Sequence, residues 1–338
     1  MPHLFDPIDV GPLVLKNRII MPAMAMDLAT EEGLVTDDVI EHYRRRAKGG
    51  VGLIVTEHLY VRPDGRYSVK QPGIYEDSLL PGLERLAKAI AMEGVPIIAQ
   101  ISHAGARTVM EASVVRPVSP SGVKVAGADV EPRELTSKEI MEIADAFTAG
   151  AARAKLAGFK GVEVHGAHGF LLNQFASPIT NHRTDQYGGS LENRLRLPLE
   201  IVRRVKAEIG NEMLLSYRLG ADDMMDGGFT LEEAKVAARL LEDEGVQLLN
   251  VSGGLVGSRP ADGGPGYFVP LATAIKSSVG IPVAGVGKIT DPHFADEIIS
   301  SGRADLVAVG RAILKDPDWP KKAAIALGVG EGWEVPMD

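Results

Sequence analysis

The sequence has 338 residues, 45% hydrophobic and 24% charged, with a formal net charge of −9. That acidity excludes an extended basic face for duplex nucleic acid, and no apolar run is long enough to cross a bilayer. Cysteine is absent, which excludes disulfides, thiolate zinc sites and cysteine-held iron–sulfur clusters, so redox chemistry requires an organic cofactor or a metal held by His and carboxylates.

Met1-Pro2-His3-Leu4-Phe5-Asp6 has no basic flank leading into an apolar core, so no secretion signal is read and a cytoplasmic location is expected. Residues 7–15 read as a hairpin turning at Gly11-Pro12 and capping the N-terminal end of the fold. Eight strands are expected at Arg18–Met21, Val51–Thr56, Ile97–Ile101, Gly161–His165, Leu214–Arg218, Leu248–Ser252, Val283–Val286 and Leu306–Val309. Each is almost continuously apolar, as strands buried on both faces are.

Helices separate these strands. Thr136 with Glu139, and Thr230 with Glu233, form capping boxes ahead of helical apolar spacing, with Gly158 and Gly245 at the stops. Asp291-Pro292 gives a cap and a first-turn proline. The segment Ala106–Arg133 is rich in Pro, Gly, Ser and Val without helical periodicity. It reads as a long loop after strand three, and a loop of that length suits an active-site wall. Eight strand–helix units in regular order predict an α/β fold, a single (β/α)₈ TIM barrel over 1–338, in preference to an open doubly wound sheet.

In such barrels chemistry sits at the C-terminal strand ends, and phosphate binds after strands seven and eight. Strand seven ends Ala284-Gly285-Val286-Gly287-Lys288 and strand eight Val309-Gly310-Arg311. Gly285, Gly287, Gly310 and Arg311 are therefore candidate phosphate ligands, through backbone N–H groups and a guanidinium. No GxGxxG follows a strand, so a separate Rossmann pocket for NAD(P) is not expected. Strand four ends in His165-Gly-Ala-His168, and two imidazoles so placed can donate to one oxygen and stabilise developing negative charge. The same pair also suits a metal or a tied-down loop. A metal needs a third ligand, which no HExxH or aspartate cluster supplies, so none is expected.

The run from His165 to Arg194, which reads His-Gly-Ala-His-Gly-Phe-Leu-Leu-Asn-Gln-Phe-Ala-Ser-Pro-Ile-Thr-Asn-His-Arg-Thr-Asp-Gln-Tyr-Gly-Gly-Ser-Leu-Glu-Asn-Arg, resembles the old yellow enzyme family of FMN-dependent ene-reductases. Asn17-Arg18-Ile19, Thr56-Glu57, Ala99 to Gly105, Arg218, Gly310-Arg311 and Asp316-Pro317 agree in order, so the resemblance covers essentially the whole chain. It implies one FMN-binding domain of the short branch, without the iron–sulfur segment and second nucleotide domain of larger relatives. It also implies NAD(P)H as reductant, a small-molecule acceptor and a ping-pong cycle; a homo-oligomer is compatible with it. By resemblance, Gln100 meets the flavin pyrimidine edge, Arg218 sits by N1 and the C2 carbonyl, and the backbone of Ala23, Met24 and Ala25 faces N5 and the C4 carbonyl. The phosphate falls to the four residues already named. His165 and His168 bind the activating carbonyl or nitro oxygen, with Phe170 and Tyr267 beside the acceptor. Residues 181–194, the most family-like stretch, read as a structural loop with Ser190 capping the next helix.

Two positions depart from the family pattern. Phe170 stands where the family's tyrosine gives Cα its proton, leaving water, His58, Tyr60, Tyr67 or Tyr267 as the acid. His58 is favoured for its place at the mouth of strand two and because histidine titrates near working pH. Ala25 stands where relatives carry Thr or Cys beside the flavin C4 carbonyl, which predicts a lower flavin potential. The expected reaction is reduction of enones, enals, maleimides or nitroalkenes. Amine dehydrogenation and dienoyl-thioester reduction are the alternatives that keep the flavin, and a sugar-phosphate aldolase is the one that drops it.

Overall fold

The computed structural model describes residues 1–113, 115–128, 130–261 and 263–329. Eight parallel strands, β1 (Ile19–Met21), β2 (Leu53–Val55), β3 (Ile97–Ser102), β4 (Gly161–Gly166), β5 (Leu214–Gly220), β6 (Leu248–Ser252), β7 (Val283–Val286) and β8 (Leu306–Ala308), pair in sequence order. The pairing Val307↔Ile19 joins β8 to β1 and closes the barrel. Around it lie α1 (Asp37–Lys48), α2 (Leu80–Ala91), α3 (Ser137–Leu156), α4 (Leu191–Ile209), α5 (Leu231–Asp243), α6 (Val269–Lys276), α7 (Pro292–Ser300) and α8 (Trp319–Ala326). The strand expectations hold, with shorter ladders at β1, β2 and β8, one residue more at β3 and β4, and a longer β5, where Leu219 and Gly220 go on pairing with Val251 and Ser252.

Alternation along each strand divides two cores. Ile19, Met21, Ile54, Val162, Val164, Leu215, Tyr217, Leu249, Val251 and Val307 pack outward among the helices. Ile20, Leu53, Val55, Ile98, Leu214, Leu248, Ala284 and Leu306 fill the lower barrel interior. The hairpin, Ile8–Val10 against Leu13–Leu15 with Gly11 at φ +56, adds Val10 and Leu15 to that inner cluster. It plugs the floor, and burying each such side chain contributes ~1.5–3 kcal/mol.

Both capping boxes form, and Asp291 caps α7 through the His293 N–H. The excursion after β3 holds more order than its composition announces: a 3₁₀ turn at Gly105–Arg107 and a short parallel pairing of Val118–Ser119 with Arg133–Glu134. The 181–194 segment clamps it to the barrel. Asn181 Nδ2 donates to the carbonyls of Phe175 and Tyr187, both at 2.7 Å, and Arg183 Nη1 donates to those of Pro120 at 2.8 Å and Leu135 at 2.6 Å. Among the described residues no helix is long and apolar enough to cross a membrane.

Candidate active site

A cavity of about 750 Å³ opens at the C-terminal ends of the strands. The segment after β1 brings Ala23, Met24 and Ala25 to its wall, the segment after β2 brings His58 and Tyr67, and the turn after β3 brings Arg107. From β4 and its exit come His165, His168 and Phe170; β5 and β6 add Arg218 and Ser252, and β8 leads into Gly310 and Arg311.

Burial, then neighbouring positive charge, sets the protonation of the histidine pair. His165 and His168 are both held well below the ordinary imidazole range by burial, with Arg218 and Arg107 acting in the same direction. They are neutral at physiological pH. His168 Nε2 lies 2.7 Å from Ser252 Oγ, and its backbone, at φ +59, is pinned on both sides. Its N–H donates to the Gly253 carbonyl at 3.1 Å, and its carbonyl accepts from Arg107. A left-handed non-glycine residue costs ~1–2 kcal/mol and persists where surrounding bonds over-determine it. His165 Nδ1 is buried without a partner. The ring centroids of His165 lie 5.2 Å from His168 and 4.5 Å from Phe170.

His58 stacks 6.3 Å from His165, but burial pushes its pKa down to about 4. The expectation that it changes charge near neutral pH is therefore not met. Its tautomer is fixed by Gln71. Gln71 Oε1 accepts the Tyr67 N–H at 2.7 Å, so its amide Nε2 faces His58 Nδ1, also at 2.7 Å. His58 Nδ1 is the acceptor, and the ring proton sits on Nε2.

Other expected residues fall at different depths. Gln100 lies one layer below the wall, donating to Glu163 Oε1 at 2.7 Å. Gly285 sits within the β7 ladder opposite Val307, and a side chain there would meet Ala272 and Ala304 at 3.5 Å on the helix side. Gly287, at φ +130, is confined by Tyr267, whose backbone N would lie 2.9 Å from an added Cβ. Neither glycine is on the wall, whereas Val286 and Lys288 are. Tyr267 belongs to the strand-seven and strand-eight side: its hydroxyl donates to the Ser258 carbonyl at 2.9 Å and accepts from Arg311 at 3.3 Å.

Sequence reasoning missed Arg107, Ser252, Lys288, Arg259 and Lys315, all on the wall. Lys288 directly follows the glycine pattern and was the one with a readable signal. With Arg218 and Arg311, the four basic residues of this set bring six cations to the wall and, among the described residues, no carboxylate lines it. Arg218 is buried with Nε and Nη1 unpartnered. Glu57, buried under the Ala23–Met26 segment, accepts the Met26 N–H at 3.1 Å, and burial raises its pKa to about 7. Among the described residues no group of three or more His, Asp or Glu is placed to hold a metal.

A flavin mononucleotide fits this donor set. Its pyrimidine acceptors answer the two free nitrogens of Arg218, and its phosphate answers the cations around Gly310. The sequence profile of the NADH:flavin oxidoreductase / NADH oxidase family matches residues 3–328. The chain belongs to this family. FMN is its cofactor, and the family's reductant is NAD(P)H. Among relatives in the family, an NADH oxidase of Thermoanaerobacter brockii is 47% identical over 95% of this chain, which spans 50% of that protein's length. An NADPH dehydrogenase of Halalkalibacterium halodurans is 39% identical, covering 96% of this chain and 95% of its own. A solved 2-naphthoyl-CoA reductase complex superposes with a TM-score of 0.91 at 33% identity, covering 98% of this chain and 53% of its own. The old yellow enzyme homologue of Zymomonas mobilis superposes at 0.85 with 30% identity, covering 99% and 97%.

Proposed function

We propose that the chain works as one FMN-binding domain that reduces activated C=C bonds of enones, enals, maleimides or nitroalkenes at the expense of NAD(P)H. The carrying observation is the neutral imidazole pair, with the buried His165 Nδ1 free to meet an acceptor oxygen, beside the unpaired guanidinium of Arg218. Bound FMN supplies hydride exchange between nicotinamide and acceptor.

Arg218 would hold the pyrimidine end by charge-assisted bonds, with Gln100 beneath it. The backbone of Ala23–Ala25, kept in place by Glu57, would face the opposite edge. Gly310, Arg311 and Lys288 would take the phosphate. His168, oriented by Ser252, and His165 would polarise the acceptor carbonyl or nitro group, as positioned donors in a water-poor site do. Nicotinamide and acceptor would use this same cavity in turn.

The cationic wall favours a second reading, reduction of an unsaturated acyl-CoA thioester, whose phosphates suit such a surface. A solved structural neighbour is itself a 2-naphthoyl-CoA reductase. The test is direct: the purified protein should be yellow, bleach anaerobically with NADPH or NADH, and recolour on adding 2-cyclohexenone. A colourless protein that takes up no FMN would defeat the proposal; recolouring by an enoyl-CoA but not by the enone would select the second reading.

A further inference from the structure

We propose that Tyr67 gives the acceptor its Cα proton, in place of the hydroxyl that Phe170 lacks; this rests on the ene-reduction reading. Hydride arriving at Cβ leaves an electron pair at Cα that must be protonated, and Phe170, 4.5 Å from His165 ring to ring, has nothing to donate.

The structure separates the remaining hydroxyls and imidazoles. Tyr60 is off the cavity wall, with its hydroxyl donating to the Glu32 carbonyl at 3.3 Å. Tyr267 donates to the Ser258 carbonyl. Ser252 is engaged with His168. His58 is neutral, and the orientation of Gln71 leaves it one proton, on Nε2. Removing that proton would make an imidazolate, and a neutral imidazole is a far weaker acid than a phenol.

Tyr67 meets each requirement. Its ring lies 5.3 Å from Phe170 and 5.5 Å from His58, on the cavity wall. Its hydroxyl has no hydrogen-bond partner among the described residues. The Arg107 guanidinium lies 5.7 Å from the ring centroid, with Nε buried and unpartnered. In the step, the Tyr67 O–H bond breaks and a C–H bond forms from the electron pair at Cα; the hydride on Cβ has come from the reduced flavin. Water then returns a proton to the phenolate.

The experiment compares the natural chain, Tyr67→Phe, and the double variant Tyr67→Phe/Phe170→Tyr, each reduced anaerobically and mixed with 2-cyclohexenone or 1-nitrocyclohexene. A nitronate is stable in water, so hydride transfer to the nitroalkene needs no enzyme acid. Tyr67→Phe should keep its FMN content, its rate of reduction by NAD(P)H and its dissociation constant for a phenol. Enone turnover should fall ~100-fold or more, nitronate should still form, and the double variant should recover at least about tenfold. Enone turnover within threefold of the natural chain would overturn the proposal, as would equal loss of both acceptors with FMN retained. A natural chain reoxidised by neither acceptor would refute ene-reduction itself. In the natural chain, reoxidation by the enone should be slowed in D2O and reoxidation by the nitroalkene should not. The same solvent isotope effect with both acceptors, or none with either, would overturn the assignment even if the variant failed to hold FMN.

Discussion

Replacing Arg218 by methionine should affect the free protein and the flavin complex in opposite directions. In the structure its Nε and Nη1 are buried and unpartnered, and burial lowers the guanidinium pKa while Glu163 acts in the opposite sense. A buried unsatisfied donor costs ~1–3 kcal/mol, more when charged. Methionine fills similar space without that demand. Glu163 keeps its own partners, Gln100 at 2.7 Å, Ser216 at 2.9 Å and Asn250 at 3.2 Å, so losing the cation does not strand it. Flavin-free Arg218→Met should therefore match or exceed the natural chain by ~1–2 kcal/mol in urea unfolding. FMN affinity should move the other way. Two hydrogen bonds to a charged donor are worth ~1.5–3 kcal/mol each, or ~10²–10⁴ in Kd, read by quenching of FMN fluorescence. A Kd within threefold of the natural value would refute the reasoning, and so would a flavin-free variant less stable by more than ~2 kcal/mol.

Glu57→Gln keeps an acceptor for the Met26 N–H and removes a titration. Because burial raises the Glu57 pKa from its ordinary 4.5 to about 7, its contribution to stability is complete below about pH 4.5 and is lost as pH rises through 7, by up to ~3 kcal/mol. The variant should flatten that slope and be the more stable protein at pH 8; parallel stability–pH curves would count against it. Ala25→Thr should raise the flavin potential by adding a side-chain donor on the cavity wall, and an unchanged or lowered potential in a dye-equilibration titration refutes that role. Leu15→Ala, in the fully buried barrel floor, should lose ~2–5 kcal/mol in thermal or urea unfolding while FMN affinity stays put.

The barrel was legible because its strands are buried on both faces, so that Val162 to Val164 or Leu214 to Leu219 stand out against amphipathic helices without any knowledge of partners. The capping boxes at Thr136 and Thr230 were legible because all their groups lie within four residues. The cavity wall was legible at His165, His168, Arg218 and Arg311, which sit at or next to strand ends. Arg107 was not, since its position depends on a turn inside a long excursion. That turn is held by contacts far along the chain, such as Gln174 Oε1 accepting the Ala106 N–H at 3.1 Å. The charge state of His58 was hidden for a different reason. An imidazole's pKa follows its burial and its partners, and the amide of Gln71, thirteen residues away, is not marked as a partner by any local pattern.

The interior of the barrel changes character along its axis, and this gradient explains how a chain of net charge −9 builds a cationic pocket. At the floor, Val10, Leu15, Ile20 and Leu53 make an apolar plug. One layer up, Glu163 is held by Gln100, Ser216 and Asn250. Above it stand Arg218, His165 and Ser252, two residues further along the same strands as Ser216, Glu163 and Asn250. Glu163 thus acts on Arg218 from below through a medium that water does not screen. It opposes the lowering of the guanidinium pKa by burial without occupying Nε or Nη1. The upper layer would otherwise disfavour a second cation, yet Arg107, Lys288 and Arg311 share the wall. Their mutual repulsion is relieved by an anionic ligand, and the same field adds to the burial that holds His165 and His168 below the ordinary imidazole range. Cofactor affinity and imidazole protonation are therefore coupled through one charge distribution, burial being the larger cause of the second, and a substitution that weakens the first by removing a cation should also let the imidazoles titrate at higher pH.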